Sequence, residues 1–452
     1  MSTYDVVIVG GGVAGLFAGY NLSKMGFKVA LVEMKDEKSI GEKVCGDAIG
    51  EHHFIELGLD PPIIGFDGEN IFNGVKIVSP DEKHVISVIG KGYALNRKNF
   101  GLRLYRMAIN SGVEGYLGYF FVKPIIEGSW IKGIVIKNRN ESEHILYSKV
   151  VIDASGVSAV VRRSLPKEWW VSEIIPKEDY NVTYREIVSG DIDLDHEYAY
   201  IYLNKDIAPG GYWWLFPKKR GVYNIGLGVQ WKDLLHNPKK NYDLYIRTKL
   251  GGRIHEVIHA GGGLVPTRRP ISCMVWNGFI VIGDAAATAN PLHGGGIGSA
   301  MISAKLAADT ISEAFEKGNA SMENLWIYHI RYHRAYGAKQ ASLDIARMFL
   351  QHLDNNDLNF IFRSKLIDGS EVYDLGSKGS LSSSILSRVQ SILSLARRPT
   401  FISKLYRLKQ YMDKAYELYL RYPSAPSDYI RWKTEEESLF TEFRKWLSES
   451  FG

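Results

Sequence analysis

Val6-Val7-Ile8-Val9-Gly10-Gly11-Gly12-Val13-Ala14-Gly15 decides how the first part of this chain folds. Four apolar residues run straight into a G-x-G-x-x-G spacing at Gly10, Gly12 and Gly15, and Leu16, Ala18 and Leu22 follow with helical periodicity. The order predicts a strand over Tyr4–Val9, a helix over Ala14–Met25 and a second strand over Lys28–Val32 that Glu33 closes. In such a βαβ unit the first glycine permits a tight turn and the second lets backbone approach a pyrophosphate. The third brings helix and strand together. The positive end of the helix then faces the phosphates, and Glu33 stands where a carboxylate would take ribose hydroxyls.

A second glycine-rich stretch completes the reading. Gly283-Asp284-Ala285-Ala286 follows the apolar run Phe279–Ile282, and Pro291-Leu292-His293-Gly294-Gly295-Gly296-Ile297-Gly298 opens a helix expected over Gly296–Phe315. Asp284 is placed to accept hydrogen bonds from ribityl hydroxyls or a bound water. The free N–H groups of the turn, at Gly294, Gly296 and Ile297, can face the pyrimidine edge of a flavin. A reduced flavin is anionic there, and a helix N-terminus stabilises that charge. One glycine motif alone is weak evidence; the pair, in this order, points to FAD.

The fold class expected is α/β, with a Rossmann-like FAD-binding domain, an antiparallel-sheet substrate domain and a helical C-terminal region. Asn96–Asn110 reads as a helix, 113–122 and 131–137 as strands, and Val150–Ala154 as a buried parallel strand ending in Ser155-Gly156. From about 170 to 260 alternating strands such as Glu197–Leu203 and Val222–Val229 are separated by Gly/Pro turns. The predicted division is therefore 1–65, 90–168 and 268–335 for the discontinuous FAD-binding domain. Residues 66–89 and 169–267 form the substrate domain, and 336–452 the helical part.

Composition narrows the class. The 452 residues are 45% hydrophobic and 23% charged, with 55 Lys+Arg against 50 Asp+Glu, an ordinary globular balance that gives no reason to expect nucleic acid. Two cysteines, Cys45 and Cys273, exclude a four-cysteine cluster within the chain and a disulfide-stapled secreted scaffold; no metal site is expected. No run approaches the roughly 18 consecutive apolar residues of a membrane span, so the expected location is the cytoplasm, with membrane contact peripheral. Arg397, Arg398, Lys404, Arg407, Lys409 and Lys414 interleave with Phe401, Ile402, Leu405 and Leu408. This reads first as an amphipathic helix with a solvated basic face and second as a docking surface for anionic lipid.

With these residues in view, the chain resembles the p-hydroxybenzoate hydroxylase-fold flavoproteins, and among them the geranylgeranyl reductases of the digeranylgeranylglycerophospholipid reductase kind. The resemblance rests on Gly10/Gly12/Gly15, Glu33, Lys43-Val44-Cys45-Gly46-Asp47, Tyr93-x-Leu95-Asn96-Arg97-x-x-Phe100 and Gly283-Asp284-Ala285-Ala286, and runs from about residue 4 to 340. It implies that Arg97 approaches the FAD, that Ala14, Gly46 and Ala48 line it through backbone atoms, and that Val122 makes main-chain contact beside the adenine. Related hydroxylases carry D-G-x-x-S-x-x-R, whereas this chain has Asp153-Ala154-Ser155-Gly156-Val157-Ser158 before Arg162. That departure argues against a nicotinamide site of the hydroxylase type.

Pro209-Gly210-Gly211-Tyr212-Trp213-Trp214-Leu215-Phe216-Pro217 matches the pattern P-x-x-Y-x-W-x-F-P associated with geranylgeranyl reductases. On a strand Tyr212, Trp214 and Phe216 share one face, an aromatic wall suited to an isoprenoid double bond; a packed core strand is the plain alternative. The resemblance also sets Cys45 beside the isoalloxazine, as a proton donor or a contact to flavin N5. His293 is either exposed to the active site or only shapes the helix entry. The expected activity is saturation of C=C bonds in geranylgeranyl chains of archaeal-type membrane lipid, or of geranylgeranyl diphosphate, by hydride from reduced flavin N5. Tyr212, Trp214 and Phe216 would position the chain, with Cys45, His293 or water supplying the proton. The electron donor would be external, a nicotinamide cofactor or a ferredoxin. Rivals on the same fold are a flavin monooxygenase or halogenase, an electron-transfer flavoprotein serving a membrane quinone, and a lipid-binding scaffold without turnover.

Overall fold

The computed structural model describes residues 2–232, 237–381 and 399–451. Its first sheet is built around the opening apolar run. β1 (Ser2–Val9) is flanked in parallel by β2 (Val29–Glu33) and β9 (Glu143–Asp153), with Val6 opposite both Val29 and Val150. β6 (Glu114–Leu117) extends the sheet past β2 and β16 (Phe279–Val281) extends it past β9, both in parallel. β15 (Val275–Trp276) pairs antiparallel with β16, and the ribbon of β7 (Phe120–Glu127) and β8 (Trp130–Lys137) attaches to β9. Val6, Val7 and Ile8 are wholly buried because helices cover the sheet, as a parallel sheet requires. α1 (Val13–Lys24) carries the chain from β1 to β2 and packs against α3 (Arg97–Asn110) and α4 (Ile297–Glu316); the short α2 (His52–Leu57) lies between them in sequence.

The segment expected as one strand over 113–122 is two. It breaks at Gly118, whose φ is +76°, so that β6 stays with β2 while β7 turns to β8. Other boundaries move by a residue or two: the last helix of the nucleotide fold starts at Ile297 with Gly296 as its cap, and α3 starts at Arg97 because the Asn96 side chain accepts from Asn99 N.

The second sheet runs in the order β14-β10-β13-β12-β11-β4-β5-β3. Its members are β3 (Ala48–Gly50), β4 (Gly68–Val78), β5 (Val85–Leu95), β10 (Tyr180–Gly190), β11 (Tyr198–Tyr202), β12 (Tyr212–Pro217), β13 (Val222–Gln230) and β14 (Ile254–Pro266). It is not wholly antiparallel: β11 and β4 pair in parallel, from Tyr198 opposite Gly74 to Tyr202 opposite Val78. The two strands are far apart in sequence, and no hairpin forces opposite directions on them. β3 is drawn into this sheet from the stretch between β2 and α3, with Ala48 opposite Ala94 and Gly50 opposite Gly92.

The C-terminal part adds α5 (Ala338–His352), α6 (Asn355–Arg363), α7 (Gly369–Lys378), α8 (Pro399–Leu420) and α9 (Tyr429–Phe451). A buried ionic cluster ties it to the end of β14. Arg269 meets Glu436 at 2.7 Å and Asp344 at 3.1 Å, Arg347 meets Asp344 at 2.6 Å and Asp179 at 3.0 Å, and Lys433 meets Glu436 at 2.8 Å. In the predicted basic helix Phe401, Leu405 and Leu408 are buried. Lys404 stands 3.7 Å from the Phe451 ring, Arg407 and Lys414 lie over the Tyr411 ring, and Lys409 pairs with Asp413 at 2.6 Å. The burial of Phe401, Leu405 and Leu408 beside exposed Arg407 and Lys414 makes this helix amphipathic, as the first reading expects; Arg397 and Arg398 lie outside the described residues.

Candidate functional site

The phosphate end of the site is shaped by what a side chain would strike. A Cβ on Gly10, where φ is +110°, would lie 2.4 Å from the Ala154 carbonyl oxygen, and one on Gly15 would lie 1.9 Å from the Gly10 oxygen. A Cβ on Gly12 would meet nothing within 4 Å, and Gly12 caps α1 with no side chain bonded to the free N–H groups. The space over that helix end is therefore open to a ligand and walled by backbone. Arg97, 8% exposed, has Nε and Nη1 buried without acceptors. An unpaired buried guanidinium is costly, and a pyrophosphate oxygen is the acceptor it suits best.

Glu33 closes β2 with its carboxylate held by backbone: Oε2 accepts from Gly11 N at 2.6 Å and Oε1 from Lys35 N at 2.9 Å. Each oxygen retains a lone pair, so the group is fixed in place and still able to accept from a ribose. Val122 occupies the bulge between Phe121 and Lys123 on β7, where no β8 residue faces it, so its backbone stands free of the ladder.

The two glycine stretches meet directly. A Cβ on Gly283, φ +62°, would lie 3.0 Å from the Ala14 Cβ in the first turn of α1. Past that contact Asp284 Oδ2 pairs with Lys43 Nζ at 3.0 Å, and its Oδ1 lies against Gly296. Gly296 caps α4 with no side-chain bond, and Ile297 is buried behind it. Gly294 takes φ +63°, and Gly295 N donates to His293 Nδ1 at 3.1 Å. That contact leaves the proton on Nε2. The His293 side chain is exposed, and desolvation by the surrounding loops, then the Lys339 charge, lower its pKa to about 4.

Opposite these loops, Tyr212, Trp214 and Phe216 share one face of β12 with Phe72 and Ala94, while Trp213 and Leu215 belong to the core on the other side. The Tyr212 hydroxyl donates to the His293 carbonyl at 2.5 Å. Phe216 Cε2 would be 3.1 Å from a Cβ on Gly46, and Trp214 Nε1 4.0 Å from it. The aromatic stretch therefore touches both loops that the sequence sets at the flavin. Trp214 and Phe216 are 7% and 8% exposed, so most of the wall is packed and the half-buried Tyr212 ring is its open end.

Sequence reasoning missed the network that holds this arrangement. Trp214 Nε1 donates to Asn224 Oδ1 at 2.9 Å; Asn224 Nδ2 donates to the Cys45 carbonyl at 2.9 Å and to Asp47 Oδ2 at 3.1 Å. Lys218 Nζ pairs with Asp47 at 3.0 Å and Glu69 at 2.8 Å and donates to the Leu95 carbonyl at 2.9 Å. Asn224, Lys218 and Asp47 are all buried, and Asp47 takes φ +62°. The one readable signal was Asn224 itself, a polar residue inside the apolar run Val222–Val229. Half-buried Cys45 and wholly buried Cys273 are both free thiols, and burial pushes Cys273 up to about 12. Ala48 sits half-buried at the start of β3.

Comparison with known proteins agrees with this geometry. The family model described as geranylgeranyl reductase catalytic domain matches residues 179–265, and that of glucose inhibited division protein A matches residues 5–56. The digeranylgeranylglycerophospholipid reductase of Sulfolobus acidocaldarius is 42% identical over 451 residues, 98% of this chain and 99% of the relative. The chain belongs to the digeranylgeranylglycerophospholipid reductase family. A reductase of the same name from Methanospirillum hungatei is 31% identical over 373 residues, 80% of this chain and 89% of its own. A solved geranylgeranyl bacteriochlorophyll reductase-like protein from Thermoplasma acidophilum superposes with a TM-score of 0.78 at 25% identity, covering 90% of this chain and all of that one. This digeranylgeranylglycerophospholipid reductase family member is an FAD-dependent oxidoreductase, and the open helix end, the orphaned Arg97 and the two meeting glycine turns fit that cofactor.

Proposed function

We propose that this chain saturates the C=C bonds of geranylgeranyl chains carried on a glycerophospholipid or its diphosphate precursor. The observation that carries the reading is the position of Tyr212, Trp214 and Phe216, hydrogen-bonded to the His293 loop on one side and packed on Gly46 on the other. Reduced FAD supplies the hydride when bound. The N–H groups of Gly12–Ala14, Glu33, Arg97 and the backbone at Val122 hold the dinucleotide, while Asp284, Gly294, Gly296 and Ile297 hold the flavin end, with Gly46 and Ala48 alongside.

An unactivated alkene accepts hydride poorly, so the work of the protein is placement and stabilisation of developing positive charge. Tyr212, Trp214 and Phe216 present the π faces suited to both. His293 is uncharged near neutral pH, and a neutral imidazole gives up its Nε2 proton reluctantly. We therefore assign proton delivery to the Cys45 Sγ–H, with His293 as a hydrogen-bonding partner at the rim. Electrons come from an external donor, a nicotinamide cofactor or a ferredoxin, and the lipid substrate implies work at a membrane surface. No described helix is long and apolar enough to cross a membrane.

The test is anaerobic incubation of the dithionite-reduced holoenzyme with geranylgeranyl diphosphate and with digeranylgeranylglycerophospholipid. Products heavier by two mass units per bond are expected, with Cys45→Ser slowing turnover and leaving flavin content intact. A requirement for O2 would turn the reading toward a monooxygenase.

A further inference from the structure

Several large apolar side chains left in the open come from one short stretch of chain. Ile55 on α2, Ile63, Ile64 and Phe66 in the loop that follows, and Ile71 on β4 are all exposed, Ile55 at 74% and Ile63 at 65%. A single exposed isoleucine needs no explanation; a group of them does. They are held side by side from beneath. The Phe54 ring, next to Ile55 in the chain, meets Tyr93 at 5.9 Å and Phe100 at 6.1 Å. Ile71 stands opposite Tyr93 in the β4–β5 pair, and directly opposed residues share a face of the sheet. Ile64 in turn lies over Gly68 at the start of β4, where a Cβ would be 3.0 Å from its Cδ1.

The loop between α2 and β4 turns its polar groups inward and these side chains outward. The Ile63 carbonyl accepts from the N–H groups of Phe66, Asp67 and Gly68 at 3.0, 3.2 and 3.0 Å, Gly65 N donates to the Gly68 carbonyl at 2.8 Å, and Ile63 N donates to Asp67 Oδ1 at 2.6 Å. Wholly buried Asp67 also takes Arg103 at 3.0 Å, and Arg103 donates on to the Asp60 carbonyl at 2.7 Å. Asn99, one turn earlier on α3, donates to the Phe66 carbonyl at 2.7 Å. A loop in water can leave its amides to the solvent, whereas an unsatisfied backbone group in hydrocarbon is costly. Residues 54–75 contain no lysine or arginine, so the attraction this face can exert is apolar rather than electrostatic.

The exposed group also adjoins the site. Phe72, next to Ile71, packs on Phe216 of the aromatic wall with ring centroids 6.5 Å apart. His53, two residues before Ile55, lies against Gly298 in the first turn of α4.

We infer that Ile55, Ile63, Ile64, Phe66 and Ile71 form the face by which this protein rests on a lipid bilayer, with the Ile63–Phe66 tip immersed among the headgroups. A prenyl chain crosses water only at a large cost in free energy, and this contact lets it pass from the bilayer to the aromatic wall beside it. The choice of a bilayer rests on the proposed function, whose substrate is a membrane lipid, and on a loop whose amides are already paired and have little to offer a protein partner.

The test uses holoenzyme of the full chain and a variant carrying Ile63→Asp and Ile64→Asp together. Both positions are exposed and lie outside the cofactor cradle and the wall, so flavin content and a circular dichroism spectrum like the wild type's report that the variant is folded. Sedimentation with phosphatidylcholine vesicles should show the wild type bound, and still bound as NaCl is raised to about 1 M. The variant's partition into the vesicles should fall about tenfold or more. Turnover of digeranylgeranylglycerophospholipid embedded in those vesicles should fall with it, while kcat/KM for dissolved geranylgeranyl diphosphate stays within about twofold. Equal partition of variant and wild type overturns the inference, as does wild-type binding that salt abolishes. A wild-type dimer that the two substitutions split, with vesicle binding untouched, overturns it as well and makes the face a contact between copies. If the wild type reduces no prenyl compound, the functional reading fails by itself, and the sedimentation result still decides the bilayer contact.

Discussion

Asn224 does the most with the least. One buried amide accepts from the Trp214 indole and donates to the Cys45 carbonyl and the Asp47 carboxylate, so the aromatic wall and the thiol loop are set by the same few atoms. Replacing it by leucine leaves the Trp214 N–H and the Cys45 carbonyl without that partner while Asp47 keeps Lys218, at about 1–3 kcal/mol for each buried polar group left unsatisfied. Asn224→Leu is expected to lower kcat at least tenfold with flavin still bound. Asn224→Asp keeps an acceptor for Trp214 but sets a carboxylate against Asp47, and should lose the loop position while tryptophan emission stays near that of the wild type. Arg97 is the complementary case, a buried cation short of acceptors. Arg97→Gln should weaken FAD binding by about tenfold to hundredfold, read by flavin release on dilution.

Along single elements the sequence spoke clearly wherever the signal was local. The alternation of Tyr212, Trp214 and Phe216 is a property of six consecutive residues of β12, and the turns at Gly10 and Gly283 follow from spacing and backbone freedom. What could not be read was set by distant partners. Lys43 and Asp284 meet across 241 positions, and the parallel β11–β4 pair depends on where a long excursion returns. The break at Gly118 was missed because both halves of 113–122 carry strand-like residues. The neighbouring strand β13 supplies a constraint on the wall that spacing also hid: a Cβ on Gly226 would lie 2.4 Å from Trp214 Cζ2 and 2.6 Å from the Tyr184 oxygen. Gly226→Ala should therefore push the indole out of place and cut kcat/KM by about tenfold or more. Steady-state kinetics beside a circular dichroism spectrum like the wild type's would check it.

Across the whole molecule, the ionic cluster between β14, α5 and α9 makes stability depend on pH. Burial alone would raise the Asp344 carboxyl, but Arg347 and Arg269 overcome it and hold the group at about 2; Arg269 and Lys433 likewise pull Glu436 down. Both folded-state values lie below the unfolded ones, so the stability they contribute is complete above the ordinary carboxylate range near about pH 4 and is lost as pH falls through it. His329 acts in the same direction from a higher start, because burial keeps it neutral at about 3 against an ordinary 6.5. Thermal denaturation followed by circular dichroism should give a Tm that is level above about pH 6.5, declines gently below it and drops steeply under about pH 4. Glu436→Gln should cost about 1.5–3 kcal/mol at neutral pH, since it removes the negative charge that Arg269 and Lys433 share and leaves Arg269 with Asp344 alone, and should flatten the acid limb. The weaving of Ala48–Gly50 into the edge of the second sheet has its own consequence. A gene cut between Gly50 and Gly68 would yield two halves that each lack a piece of the other: one with a ribbon of three residues and nowhere to lay it, the other with a bare margin at Gly92–Ala94. Neither half should take up the yellow coenzyme alone, and the colour should return only when both are made in the same cell.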